Sequence, residues 1–250
     1  MQIFNPSIVL MHAGETRIPK IDTLPAAVMH TPGAKETPDN PVIIAATLKA
    51  QTIMVLVEVA NELLQDASTS HNAIMGACMG AISNKLLQQT LYGTGTAPQI
   101  KGITKYAAGD FADSGSKASE VDLFRLPTLA KTAIIKNNGS MNAMLYDPNL
   151  EDRLNRRLAT GELVQPSRAM AELLEANRAL AHPSVAAGDM LFMQDDCLFI
   201  GIRERINIEV DRSSAFDSNN TKFRFIMRAD IYANAKRMVY YKGITQTEPT

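Results

Sequence analysis

Gly93-Thr94-Gly95-Thr96 follows an apolar stretch of helical period and is the segment of the sequence closest to a phosphate-binding loop. Such loops work because glycines let successive backbone N–H groups close on an anion, and the nucleotide version requires Gly, four residues, then Gly-Lys-Ser/Thr. That spacing is missing. The dinucleotide fingerprint fails too, because Pro98 stands where its third Gly belongs and a helix precedes the loop instead of a strand. The segment reads as the turn that ends a helix.

Other chemistry-bearing residues are equally scattered. His12, His30, His71 and His182 have no metal-ligand spacing with one another or with Cys78 and Cys197. Asp195-Asp196 could supply paired carboxylates, but neighbours on a strand point to opposite faces, so the pair reads as an exposed turn between apolar runs. There is no Gly-x-Ser-x-Gly elbow to present a nucleophile. Phe223 and Phe225 beside Lys222 and Arg224 could stack on bases, yet aromatic residues at period two are better read as the buried face of a strand. Gly76-x-x-x-Gly80 matches the small-residue motif of membrane helix pairs, but Asn84, Lys85, Gln88 and Gln89 share the helix and forbid a bilayer, which leaves close helix packing. The sequence therefore predicts no catalytic, cofactor-binding or metal-binding residues, and a protein that is not an enzyme.

Composition narrows the partners. The 25 basic and 26 acidic residues nearly cancel, to a formal net charge of -1, and they are interspersed, so no basic face is available for sequence-specific grip on nucleic acid. The two cysteines lie in separate apolar stretches and read as buried thiols of a chain folded in a reducing cytoplasm. The start, Met1-Gln2-Ile3-Phe4-Asn5-Pro6, has no export signal, and no run reaches the roughly 18 apolar residues of a membrane span, so a soluble protein is expected. With 46% hydrophobic side chains, 13 Met and no Trp, the core is expected to be aliphatic and adaptable.

The elements follow from period and punctuation. Pro19, Pro25, Pro32, Pro38 and Pro41 exclude a helix from the first forty residues and suit a hairpin with its tip near Thr31 to Lys35, while Thr47 to Gln51 alternates as a strand does. Ala60 to Ala67 predicts a short helix. Ser68, Thr69 and Ser70 supply capping hydroxyls for a second helix over His71 to Tyr92, with Ile74, Cys78, Ile82, Leu86 and Met75, Met79, Leu87, Leu91 as adjacent buried rows. At 1.5 Å per residue that helix spans on the order of 33 Å. A loop over Gly109 to Ser119 leads to a helix over Leu126 to Lys136 that opens on Pro127. Beyond it are expected a strand over Met141 to Tyr146, a charged helix to Arg157 and a further helix over Ser167 to Leu180. Strands at Met190 to Phe192, Cys197 to Ile202 and Ile206 to Val210, a turn at Asn219-Asn220, and a strand from Phe223 to Ile231 complete an α+β pattern.

Glu58 to Asp66 before a long helix ending in Leu91-Tyr92-Gly93-Thr94-Gly95-Thr96-Ala97-Pro98 and Gly102-Ile103 resembles the HK97-like major capsid proteins of tailed bacteriophages. Met144-Leu145-Tyr146-Asp147-Pro148 and the run from Phe199 to Val210 extend the resemblance to about residues 15 to 243. It implies a HK97-like fold divided into an N-terminal arm (1-14), an extended β-hairpin or E-loop (15-57), a peripheral domain with the spine helix (58-104), an axial domain (105-205), and peripheral strands with a C-terminal tail (206-250).

The function implied is a shell subunit that self-assembles into pentamers and hexamers of an icosahedral virion around double-stranded DNA, without sequence-specific contact to it. Scaffolding, portal and decoration proteins are the partners implied, with assembly in the host cytoplasm. An encapsulin, a nanocompartment built on the same fold, is the alternative. Relatives often begin with a helical scaffolding segment, so Met1 is either a true start or an internal residue of a processed precursor. Some relatives also crosslink a loop Lys to a neighbour's Asn with a Glu as base. Lys35 and Asn219 or Asn220 fall near the first two positions, and Arg228 occupies the third, so no crosslink is expected.

Overall fold

A computed structural model describes residues 6–23, 29, 33, 35, 42–66, 70–114, 123–154, 176, 178–215 and 217–244. In chain order its strands are β1 (Ser7–Leu10), β2 (Glu15–Thr23), β3 (Val42–Lys49), β4 (Gln51–Ala60), β5 (Ala143–Tyr146), β6 (Ala179–Ala181), β7 (Met190–Met193), β8 (Leu198–Asp211), β9 (Asn220–Ala233) and β10 (Met238–Tyr241). The helices are α1 (Asn61–Asp66), α2 (Ser70–Tyr92), α3 (Leu126–Lys136) and α4 (Asn149–Leu154). The α+β class expected from the sequence is the class observed.

One sheet has the order β1-β8-β9-β4. Phe223, Phe225, Met227, Ala229 and Ile231 of β9 point to one face and are buried, as their period of two requires. They share a core with Cys78, Ile82, Leu86, Leu87 and Leu91 of α2, so the long helix lies on that face. Burying each large side chain there contributes on the order of 1.5–3 kcal/mol.

The second of the two helical rows is only half used. Leu87 and Leu91 are buried and Met75 is half-buried against the core, but Met79 is 40% exposed. Gly76 and Gly80 are also exposed, with nothing within 4 Å of a Cβ built on either. The close helix packing expected of them is not made within the chain.

The other sheet has the order β10-β7-β5-β6. Every residue of β5 and β7 is buried, which their unbroken apolar runs Ala143–Tyr146 and Met190–Met193 require: α3 covers one face and the α2 core the other. Pro127 stands in the first turn of α3 as expected.

Three sequence expectations need correction or fall outside. The strands expected at Cys197 to Ile202 and Ile206 to Val210 are one continuous strand, β8, and β10 pairs with β7 in the second sheet, because apolar runs do not reveal strand partners. Ala179 and Leu180 belong to strand β6, paired parallel to β5, where a helix was expected; the rest of that stretch to residue 177, apart from 176, lies outside the described residues. So do the hairpin tip except Gly33 and Lys35, the capping Ser68 and Thr69, and residues 155–157.

Candidate assembly surfaces

Strands β2 and β3 form an antiparallel hairpin, as the prolines and the alternation from Thr47 predict. Its root is fastened to the first sheet. Leu48 is fully buried and sits with Met11 over Gly201, where an added Cβ would lie 2.6 Å from Leu48 Cδ1 and 2.8 Å from Met11 Sδ. Glycine is required by that close approach. The Lys49 N–H donates to Asp230 Oδ2 at 2.6 Å, and the Ala50 N–H to the Gly14 carbonyl at 3.0 Å. Burial pushes the Asp230 carboxyl above its ordinary range, while the Lys49 and Ile231 N–H groups pull it back.

β1 pairs parallel to β8, from Ser7↔Phe199 to Leu10↔Ile202, and the Arg203 guanidinium donates to the Met11 carbonyl at 3.2 Å. These contacts anchor the chain on both sides of the hairpin. Beyond the root, apolar side chains are left in solvent: Ile8 is 64% exposed and Leu10 57% on β1, and Met54 56% and Leu56 61% on β4. On the face shared by Met54 and Leu56, an Arg224–Glu209 ion pair bridges β9 and β8.

At the β8–β9 turn, Asn219 adopts a left-handed φ of 53°. The Asn219 amide donates to Glu62 Oε1 at 2.8 Å and the Asn220 amide to Glu58 Oε1 at 2.7 Å, while Asn61 Nδ2 donates to Asn219 Oδ1. Lys222 Nζ stands 3.7 Å from Glu58 Oε2. Arg228 lies on β9 opposite Thr52 and Glu204, with a buried Nε that has no hydrogen-bond partner among the described residues. Lys35 is exposed.

The glycine loop after α2 is closed on itself. Gly95 N–H donates to the Ile100 carbonyl at 3.1 Å, Gly102 N–H to the Gly93 carbonyl at 2.9 Å, and Thr94 pairs with Lys101. A Cβ on Gly102 would stand 2.5 Å from the Gly93 nitrogen, so the two strands of the loop cross too closely for any other residue. Its amides are spent on the loop rather than offered to an anion.

Asp195 and Asp196 form a short 3-10 turn, but they part company. Asp196 is exposed near Arg237, whereas Asp195 is largely buried and ion-paired with Arg178, which corrects the reading of both as exposed. Phe223 and Phe225 are core residues. Cys78 and Cys197 are both free and buried, and burial pushes the Cys197 thiol up to about 12. His182 Nδ1 accepts the Ser184 N–H at 3.0 Å, and burial lowers its pKa. Among the described residues, no three His, Cys, Asp or Glu side chains are placed to hold a metal ion. The crevices under α2, lined by Leu91, Ile103 and Leu145 among others, hold about 10 Å³, room for one water at most.

One polar cluster left no local trace in the sequence. Buried Asp189 accepts the Tyr92 hydroxyl at 3.0 Å, the Tyr240 hydroxyl at 2.5 Å and the Gly243 N–H at 3.0 Å, while Tyr92 also accepts the Ala186 N–H at 2.7 Å. Beside it, Asp147 accepts the Gly188 and Asn149 N–H groups. The cluster joins the end of α2 to the second sheet. Burial raises Tyr92 to about 12, so the hydroxyl stays protonated and donating.

No sequence among the curated proteins matches the chain. Solved structures do. A protein of Mycobacterium phage Adephagia superposes with a TM-score of 0.73 at 17% identity, covering 100% of this chain and 90% of its own. One of Microbacterium phage Oxtober96 gives 0.70 at 15%, covering 95% and 88%, and the capsid of a native GTA particle gives 0.68 at 12%, covering 94% and 86%. The fold is that of these structures. The model of the phage capsid family matches residues 6–237, from the last residue before β1 through the turn that leads into β10, and the chain therefore belongs to the phage capsid family.

Proposed function

We propose that the chain is the major subunit of an icosahedral phage shell, assembling as pentamers and hexamers around double-stranded DNA. The observation that carries this is the hairpin rooted at Leu48, Lys49 and Asp230, beyond which Met54 and Leu56 are left in solvent. A two-stranded hairpin is marginal alone and gains a third layer or strand only from a neighbour. Donating it head to tail is a heterologous contact, which closes into rings when the rotation allows.

In this reading β2 and β3 are the extended E-loop, α2 the spine helix of a peripheral domain built on the first sheet, and the second sheet with α3 the axial domain near the ring centre. A net charge of -1 lets many copies approach closely. The DNA is enclosed without base-specific contact, the particle is the virion, and assembly takes place in the host cytoplasm with scaffolding and portal proteins as partners. No helix among the described residues is long and apolar enough to cross a membrane.

Electron microscopy of the purified protein is the direct test. Closed shells with five- and six-fold rings are expected, and particles should contain DNA when made during infection. Dimers or amorphous material alone would overturn the assembly, and a cargo enzyme in place of nucleic acid would move the chain to the encapsulin class.

A further inference from the structure

Asn138-Gly139 is the one Asn-Gly step in the sequence, and it lies at the exposed end of α3. Local geometry accounts for both residues. Asn138 has a left-handed φ of 55°, a conformation that asparagine tolerates better than most side chains. A Cβ on Gly139 would stand 2.8 Å from Ile134 Cγ2 and 2.9 Å from Gln194 Oε1, so the chain passes too close to its neighbours for anything but glycine. Helix termination and close packing have together produced the dipeptide most prone to side-chain amide loss. With no Cβ on the following residue, nothing shields the asparagine carbonyl carbon from the next main-chain nitrogen.

The reaction needs no partner but water. The Gly139 nitrogen attacks Asn138 Cγ, and the new N–C bond closes a succinimide ring. The Cγ–Nδ2 bond breaks, and the proton lost from the Gly139 nitrogen leaves with Nδ2 as ammonia. Water then opens the ring at either carbonyl, giving aspartate or, with the main chain rerouted through the side chain, isoaspartate.

In the fold that nitrogen is held back. Gly139 N–H donates to the Ile134 carbonyl at 3.0 Å and Asn138 N–H to the Ile135 carbonyl at 2.9 Å, the paired closure of a helix end. The next amide, Ser140 N–H, donates to Gln194 Oε1 at 3.0 Å, which ties the segment to the residue after β7. Turning the Gly139 nitrogen onto Asn138 Cγ rotates the peptide plane between them. That rotation breaks the bond to Ile134 and pulls Ser140 from Gln194.

We propose that Asn138 is a latent modification site, converted to aspartate and isoaspartate only through local opening of the α3 end. The rate is then the open-chain rate multiplied by the fraction of time the turn is open. The products do not restore the turn. A carboxylate at 138 faces the negative end of the α3 dipole, and isoaspartate lengthens the main chain so that Gly139 N–H loses its register with Ile134. Conversion therefore records how long the end of α3 has been open.

The test incubates the purified full chain at mildly alkaline pH, folded and in denaturing guanidinium, and follows position 138 by peptide mass mapping with isoaspartyl-specific methyl labelling. Conversion in the folded chain should be at least about tenfold slower than in denaturant, as for any group reached only by local opening. Equal rates would overturn the proposal. Gln194→Ala removes the Ser140 acceptor and should raise the folded rate about threefold or more while leaving the denatured rate unchanged. A folded rate that does not rise counts against the closure described. Hydrogen exchange supplies a measure on the wild-type chain that needs no variant, because the Gly139 amide exchanges through the same opening. Its protection factor should match the slowing of conversion within about threefold, and a larger mismatch overturns the shared opening.

Discussion

The carboxylate of Asp230 accepts the main-chain N–H of Lys49 at 2.6 Å, joining the root of the hairpin to a strand 181 positions away. Asp230 faces Gly201 across β9 and β8, on the side of the sheet where Leu48 and Met11 fill the space a side chain would take. Backbone pairing, one buried carboxylate and one missing Cβ therefore converge on a single point, and the hairpin projects from there.

Removing that acceptor by Asp230→Ala should cost about 1–3 kcal/mol, because the part-buried Lys49 N–H loses its hydrogen bond to a charged group. Asp230→Asn keeps an acceptor oxygen and separates the effect of charge. Because burial raises the native pKa, the folded chain holds its proton after the unfolded chain has released it near the ordinary value of 3.8. That contribution is complete below the unfolded value and is lost as pH rises through the native one. The Tm of Asp230→Asn relative to wild type should accordingly climb as pH rises above the ordinary value of 3.8. A difference that stays flat across this range would contradict the buried carboxylate.

Gly201→Ala forces a methyl against Leu48 and Met11 and should destabilise by about 1–3 kcal/mol. Leu48→Ala, which empties a fully buried site, should cost about 2–5 kcal/mol. In the double variant the new methyl occupies part of the vacated space, so the combined loss should be smaller than the sum of the two. Additive losses in denaturant titrations would show that the two residues do not share one site.

These contacts mark where reading the sequence succeeds and where it stops. The long helix was expected over 71 to 92 and spans Ser70–Tyr92, because an apolar stripe of period 3.6 is a local signal that tertiary contacts only reinforce. The buried face of β9 was legible for the same reason, with period two. β1 was not, since four residues paired parallel to a strand some two hundred positions away leave no pattern of their own. The Asp189 cluster escaped likewise: Tyr92, Ala186, Tyr240 and Gly243 meet only in the fold. Asp195 misled because its partner, Arg178, is invisible to a rule about neighbours on a strand.

Tyr92→Phe should destabilise by about 1–3 kcal/mol, since it removes a donor to the buried Asp189 carboxylate, while the exposed Ala186 N–H turns to water. Tyr240→Phe removes a second donor to the same Asp189 oxygen. The two losses should not add, because each hydroxyl changes the charge that the other one solvates. A double-mutant cycle by urea denaturation measures the coupling, and a coupling near zero would refute a shared cluster.

Mature particles, boiled and reduced, should run on a denaturing gel as one subunit band. The crosslink of some relatives needs a loop lysine, an asparagine whose carbonyl is polarised, and a carboxylate that takes the ammonium proton in an apolar site. Lys35 is exposed rather than enclosed in an apolar site. Asn220 is held by Glu58, but through its nitrogen, which strengthens donation into the carbonyl and makes the carbon a poorer electrophile. Glu58 is in turn near Lys222, and Asn219 is tied between Glu62 and Asn61. The strand position that the resemblance would match to the base carries Arg228, a guanidinium that cannot accept a proton and disfavours a second cation nearby. Ladders of covalently joined subunits on that gel would show that another carboxylate reaches the lysine in the assembled shell.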